Sequence, residues 1–527
     1  MSLKVLTIIV RLLLSLASLF FTGYIPVYLM LLHKNNDKIK YTGASGKLFI
    51  FFLSFYFGLF ISSIYLIILS LSGIRFNLNS SVIFTSVFFA AFLLIAILQA
   101  KNNKRYSPVR QDGFLPVFGK KVTGNVIFGI MIFLIVLNIS AVLFFTYLFP
   151  IRFWDSISCW SLKAKAFFTD GSIIPFYIRH NYDFSHLSYP LFIPLAQTWE
   201  YIWMGAPDET LVKTIFPVFY ISLIFIFYYL FRQRIGKVIS IVLVFFISAL
   251  PVVMDHGYIE YTNLVFAIIL LIGCYFLKSS IDIMMQTENT PAGRSFYLHK
   301  NNLQQDNINN VPASVRYLAM ASVFFAMLAF VRTEGMLFLV LFIIIAAAIS
   351  VFRLVKEKNK RTAASVFLSL IPAILLLMPW FILNRRAGIP GLSAEWAPVV
   401  HAFRTDCRAA LSSFDFHNAF SSMAGQLLFS KYDSARAFFG SSYGIIWFAM
   451  LVVGCFNIKR LFTGYNWIYP VFIFCGFLSV FVSLGFIKEF AWSADRYLLH
   501  LLPLTYYWIF YNLPLFFGKD NSLDKAA

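Results

Sequence analysis

The sequence predicts an all-α fold, a polytopic transmembrane helical bundle of about thirteen spans. Three observations predict it. Only 13% of the 527 residues are charged and 60% are hydrophobic, whereas soluble domains carry about 25% charged residues. Apolar runs of the ~20 residues needed to cross a bilayer recur along the chain. The loops between them alternate between a basic set and a mixed set, as a chain threading back and forth requires.

The expected spans lie near 5–32, 48–72, 81–100, 125–149, 211–231, 238–254, 260–277, 317–331, 336–352, 363–383, 443–457, 467–487 and 497–517. The first is too long for a leader's apolar core and is interrupted by Arg11, so it reads as a span. One set of loops holds Lys34, Lys38, Lys40 and Lys47, then Lys101 to Lys121, Arg232 to Lys237, Arg353 to Arg361, and Lys459 with Arg460. The positive-inside rule places these in the cytoplasm. It also accounts for the net charge of +20 without a nucleic-acid partner. The Asn- and Gln-rich connector 278–316 and the C-terminal tail fall on the same side, the connector reading as a flexible linker.

The opposite side receives the loops 150–210 and 384–442 and three shorter turns. The loop 150–210 is long and aromatic, which argues for order. Within it, Ile157, Trp160, Ala164, Phe167 and Phe168 share one face of an expected helix over 156–169, an amphipathic element at the headgroup level. Asp155 stands at its start, as a helix cap or as a catalytic carboxylate. A second helix is expected over 186–203, lying against the membrane with Tyr189 and Trp199 as interfacial anchors. His186 opens it.

Ionisable residues gather at this same boundary, where they are costly unless solvated or paired. Asp255, His256 and Glu260 share one turn, and Arg332 and Glu334 another. Arg332 either pairs with Glu334 or faces a phosphate. Lys163, Lys165, Arg385, Arg386 and Arg496 are further cations that suit a lipid phosphate at that depth, and Asp495 precedes the last of them. Among five cysteines, Cys159 and Cys407 occupy loops on this side, which leaves a bridge between them open. No zinc spacing and no phosphate loop is present.

Five short motifs now carry a resemblance. They are Trp154-Asp155, W-x-x-K-A-K-A from Trp160 to Ala166, H-x-x-Y-P-L from His186 to Leu191, R-x-E-G from Arg332 to Gly335, and D-R-Y-x-x-x-x-L-P from Asp495 to Pro503. In these the chain resembles membrane glycosyltransferases of the GT-C superfamily, nearest the protein O-mannosyltransferase and aminoarabinose-transferase branch, over roughly 125–505. The resemblance implies a GT-C-like catalytic core at 125–527, with 1–124 as an N-terminal transmembrane addition, since such enzymes usually carry the catalytic loop after their first span. It implies a polyprenyl-phosphate sugar donor and a glycan, lipid or protein acceptor on the non-cytoplasmic face. Asp155 would be the base, and Lys163, Lys165, Arg332, Arg385, Arg386 and Arg496 would face the donor phosphate. His186, Tyr189, Asp255, His256, Glu260, Glu334 and Asp495 would serve the acceptor or support the site. A divalent metal, Mg or Mn, stays open, with Asp155, Asp255 and Glu260 as candidate ligands. Sparse glycosylation sequons and the lack of extra domains fit a bacterial inner membrane, with the site facing the periplasm.

Two other readings compete. An O-antigen polymerase or ligase would lean on Arg404, Arg408 and Arg436 in the loop 384–442. A transporter or flippase would bury polar residues at mid-span, and the spans here are nearly free of charge.

Overall fold

A computed structural model describes residues 3–32, 41, 43–102, 121–179, 183–286, 313–355, 360–389, 391, 396–429, 443, 446–456, 458–462, 465–487, 490 and 493–511. The loop lysines at 34–40 and 104–120, most of the Asn- and Gln-rich connector, Arg436 and the tail beyond Tyr511 lie outside these residues.

The described residues form helices and no strands. In chain order these are α1 (Leu3–Val27), α2 (Ala44–Leu71), α3 (Leu78–Asn102), α4 (Lys121–Leu148), α5 (Leu162–Asp170), α6 (Ile174–Ile178), α7 (Phe192–Met204), α8 (Ile215–Arg232), α9 (Lys237–Ser248), α10 (Pro251–Asp255) and α11 (Asn263–Gln286). Then come α12 (Ala313–Val331), α13 (Gly335–Val355), α14 (Lys360–Leu368), α15 (Ile371–Ala387), α16 (Trp396–Thr405), α17 (Cys407–Ser412), α18 (Phe416–Ala424), α19 (Ile446–Phe456), α20 (Ile458–Leu461), α21 (Ile468–Phe486) and α22 (Ala494–Tyr511).

Among the described residues, 10 helices are long and apolar enough to cross a membrane, which fits a multi-pass membrane protein. Each matches one of the expected spans. The described parts of the other three expected spans are also helical, the one at 238–254 being split between α9 and α10. The helices Lys237–Ser248 and Ile446–Phe456 are short for a crossing, and α22 opens with Asp495 and Arg496.

A helix that is hydrophobic all round belongs in an interior. Helices α2, α11 and α12 fit that rule and are buried over most of their length, whereas α3 and α4 are largely exposed and form the rim. Close approach of α1 to α2 depends on two glycines. A Cβ at Gly58 would lie 1.7 Å from the Leu19 carbonyl oxygen, and one at Gly23 would lie 1.8 Å from that of Ser54. Small residues permit such contact between membrane helices. Residues 1–124 thus contribute helices that pack directly on the remainder: Tyr56 hydrogen-bonds Ser222 of α8 at 2.7 Å, and the Trp199 indole of α7 donates to Ser18 of α1 at 3.1 Å.

Helix α7 departs from expectation. Every one of its residues is buried, so it lies inside the protein and not on a membrane surface. Trp199 is an interior residue with a hydrogen-bond partner, not an interfacial anchor. Glu200 is fully buried with neither carboxylate oxygen hydrogen-bonded. Burial pushes its carboxyl up to about 8, with the Ser15 hydroxyl opposing.

The expected helix over 156–169 forms, but it begins with a wide π-turn at Ser156–Ser161 before α5. That turn holds an extra residue and rotates the register. Ile157 therefore faces outward at 46% exposure, and Lys163 turns fully inward. All five cysteines are free thiols, so no bridge joins Cys159 to Cys407.

Candidate active site

The π-turn at Ser156–Ser161, the start of α11, the turn between α12 and α13, and the start of α22 meet around a cavity of about 240 Å³. That is near the small end for ligand pockets, which run roughly 300–1,000 Å³. The cavity is lined by Asp155, Cys159, Trp160, His186 and Tyr189 of the loop 150–210, by Tyr261, Asn263, Arg332, Thr333 and Glu334, and by Trp396, Ile487, Phe490, Ser493, Arg496 and Tyr497.

Asp155 immediately precedes the π-turn, in helical conformation, and its side chain caps nothing. The carboxylate instead meets Arg496: Nη1 donates to Oδ2, joining residues 341 apart in sequence. Arg496 lies in the first turn of α22. Its Nη2 donates to Ser493 Oγ at 2.6 Å, its guanidinium lies 5.1 Å from the Tyr261 ring centroid, and its buried Nε has no hydrogen-bond partner. The Asn263 side chain donates to the Arg496 carbonyl at 2.9 Å and fixes the start of the helix.

Arg332 follows the last residue of α12. The tight turn into α13 requires Gly335, where a Cβ would lie 2.0 Å from the Leu328 carbonyl oxygen. In that turn Arg332 donates from Nε and Nη2 to the two Glu334 oxygens at 3.2 and 3.1 Å. Nη1 reaches Thr262 at 3.0 Å and Asn263 at 3.3 Å, and Nη2 reaches the Tyr497 hydroxyl at 2.8 Å. Burial pushes the Glu334 carboxyl up, but the Arg332 guanidinium outweighs it and holds the group below its usual value. Arg332 thus pairs with its own neighbour.

The remaining wall is aromatic. His186 stacks on Tyr189 at 4.8 Å between centroids, and Tyr189 stacks on Trp160 at 5.6 Å. His186 has φ 49°, the left-handed region that a non-glycine residue rarely adopts. Its carbonyl accepts from the buried Lys163 ammonium at 2.9 Å and from the Tyr189 N–H at 3.0 Å. Burial lowers the Lys163 ammonium to about 7. Lys163 therefore braces the wall from behind and does not line the cavity.

The cavity gathers six of the residues singled out from sequence: Asp155, His186, Tyr189, Arg332, Glu334 and Arg496. The others do not line it. Lys165 is exposed and pairs with Glu209 at 2.6 Å. Arg385 is exposed, and Arg386 donates to the Leu71 carbonyl. Asp255 accepts from the Tyr258 hydroxyl at 2.8 Å, and burial raises its carboxyl to about 6. His256 bonds the Val252 carbonyl at 2.8 Å, and burial lowers its imidazole to about 4. Glu260 is buried 3.8 Å from Lys213. The Asp495 carbonyl accepts from the Tyr443 hydroxyl.

Asp155, Asp255 and Glu260 thus have separate partners. Among the described residues no group of three His, Cys, Asp or Glu side chains could hold a metal. Tyr261, Asn263, Tyr497 and Trp396 escaped the sequence reading. Tyr497 stands inside the D-R-Y motif, and Tyr261 and Asn263 close the turn that carries Asp255 and Glu260. Those adjacencies were the available signal. No protein-family model, curated protein or solved structure matches the chain.

Proposed function

We propose that this protein is a membrane glycosyltransferase that takes its sugar from a polyprenyl phosphate and passes it to a lipid, glycan or protein hydroxyl on the non-cytoplasmic face. One observation carries the proposal. Each of the five motifs that suggested a GT-C enzyme contributes a residue to the same cavity: Asp155, Trp160, His186 with Tyr189, Arg332 with Glu334, and Arg496 with Tyr497.

The chemistry follows from those residues. Asp155 accepts the acceptor's hydroxyl proton as general base. The acceptor oxygen bonds to the anomeric carbon while the bond from that carbon to the phosphate oxygen breaks. The electron pair leaves with the phosphate, so polyprenyl phosphate departs and the anomeric centre inverts. Arg496 stabilises the charge growing on the phosphate. Trp160, Tyr189 and Tyr497 offer apolar faces to the sugar ring.

The test is transfer from radiolabelled polyprenyl-phosphate sugars by protein in nanodiscs, with and without Mg or Mn. Asp155→Asn should lower the rate about 10³-fold while the protein stays folded. Transfer at the wild-type rate by the variant would remove Asp155 as base. Absence of transfer by wild type from every donor would remove the glycosyltransferase reading.

A further inference from the structure

We propose that Asp155 and the ligand's phosphate compete for Arg496, so that a seated phosphate releases the carboxylate from its ion pair and leaves both of its oxygens to the acceptor hydroxyl. This rests on reading the cavity as the donor site, and it adds a regulation of that site.

A guanidinium has five N–H groups. Arg332 spends all of its own on protein: two on Glu334, one each on Thr262 and Asn263, and one on Tyr497. Its edge is closed to a new acceptor. Arg496 spends one on Asp155 and one on Ser493. Its Nε is buried without a hydrogen-bond partner, and the residue lines the cavity. Among the described residues two guanidiniums line the cavity, and of these Arg496 is the one that can take an anion.

Asp155 holds Arg496 through a single oxygen, Oδ2. A phosphate binds a guanidinium through two parallel N–H bonds, which is stronger and more directional. The exchange moves little else. Asn263 fixes the Arg496 carbonyl at 2.9 Å, so the backbone stays while the side chain turns. The Tyr261 ring, 5.1 Å away, supports the guanidinium face throughout. Released from Arg496, Oδ2 recovers the lone pair it lent to the guanidinium, and the carboxylate loses the ion pair that held it.

The same competition works in reverse after transfer. Asp155 then holds the acceptor's proton and has no hold on Arg496. Once that proton passes to water, the carboxylate reclaims Arg496 and the phosphate loses its partner. Donor binding thus precedes base release, and base recovery accompanies product departure.

The test uses polyprenyl phosphate without a sugar, titrated into full-length protein in nanodiscs. Wild type, Asp155→Asn, Arg496→Gln and the double variant form a cycle, with thermal melting as the check of folding. Asp155→Asn should bind about tenfold more tightly than wild type. In the Arg496→Gln background the same substitution should give no gain. An equal gain in both backgrounds would show simple charge repulsion and overturn the competition. So would no gain in Asp155→Asn, or no binding by folded wild type. If Arg496→Gln fails to fold, Arg496→Lys replaces it; a lysine lacks the fork, so the gain should shrink, and an undiminished gain overturns the proposal. Sugar transfer is read separately. The expected cycle without any transfer leaves the competition standing and sinks the glycosyltransferase. Transfer with an additive cycle does the opposite.

Discussion

Two regions bring a guanidinium to the cavity, and they do so in opposite ways. In the turn at 332–335, Arg332 finds its carboxylate two residues away and is saturated by four side chains from three segments. At the start of α22, Arg496 finds its carboxylate 341 residues away and uses a fraction of its capacity. The first arrangement is a fastening, and the second is a contact that can be exchanged. The difference teaches that positive charge near a cavity does not identify a ligand partner. The number of uncommitted donors does.

The strongest way to break that comparison is to remove each guanidinium in turn. Arg332→Met leaves Glu334, Thr262 and Asn263 without their partner in a buried site and should cost about 3 kcal/mol, read as a large fall in Tm in nanodiscs. Arg496→Met removes a partly exposed pair and should cost under about 1 kcal/mol. Equal losses would erase the distinction. A finer cut is Tyr497→Phe, which deletes one of the five bonds to Arg332 and should cost about 1 kcal/mol. The smallest effect is in acid. The Glu334 carboxyl is held below its ordinary 4.5 by Arg332, so its stabilisation is present above that value and is lost as the pH falls through the lower, folded value. Wild-type Tm should therefore drop below about pH 4.5 more steeply than that of Glu334→Gln, whose slope should be flatter. Parallel slopes would mean that the pair contributes nothing that titrates.

Much of the fold was legible because crossing a bilayer leaves a coarse mark. A run of apolar residues long enough to span is hard to mistake, and the ten long helices coincide with such runs. What lay hidden was which apolar helices face lipid and which face protein. The stretch 192–204 has the aromatic composition of an interfacial helix yet is wholly buried, and composition cannot distinguish two apolar surroundings. At 156–161 the π-turn left Trp160, Ala164 and Phe167 on the buried face as expected, but it put Ile157 outside and Lys163 inside, which spacing alone did not indicate. At the site, charge drew attention to Asp155, Arg332, Glu334 and Arg496, which meet. It drew equal attention to Lys165 and Arg386, which have partners elsewhere. The neutral residues that arrange the charges, Asn263 and Tyr497, carry no such signal.

The seam between α1 and α7 sets an order of assembly. Ser18 leaves the ribosome 181 residues ahead of the Trp199 indole that it binds. At about 5–20 residues per second, the interval is roughly ten to forty seconds. During it α1 can already lock onto α2, since Gly23 and Gly58 lie in adjacent helices. The first hairpin is therefore complete while its polar face still waits, and α7, with the loop that bears Asp155, docks onto a template laid down before it existed. A defect in α1 would then be felt late, when the loop that bears Asp155 finds no surface to settle on.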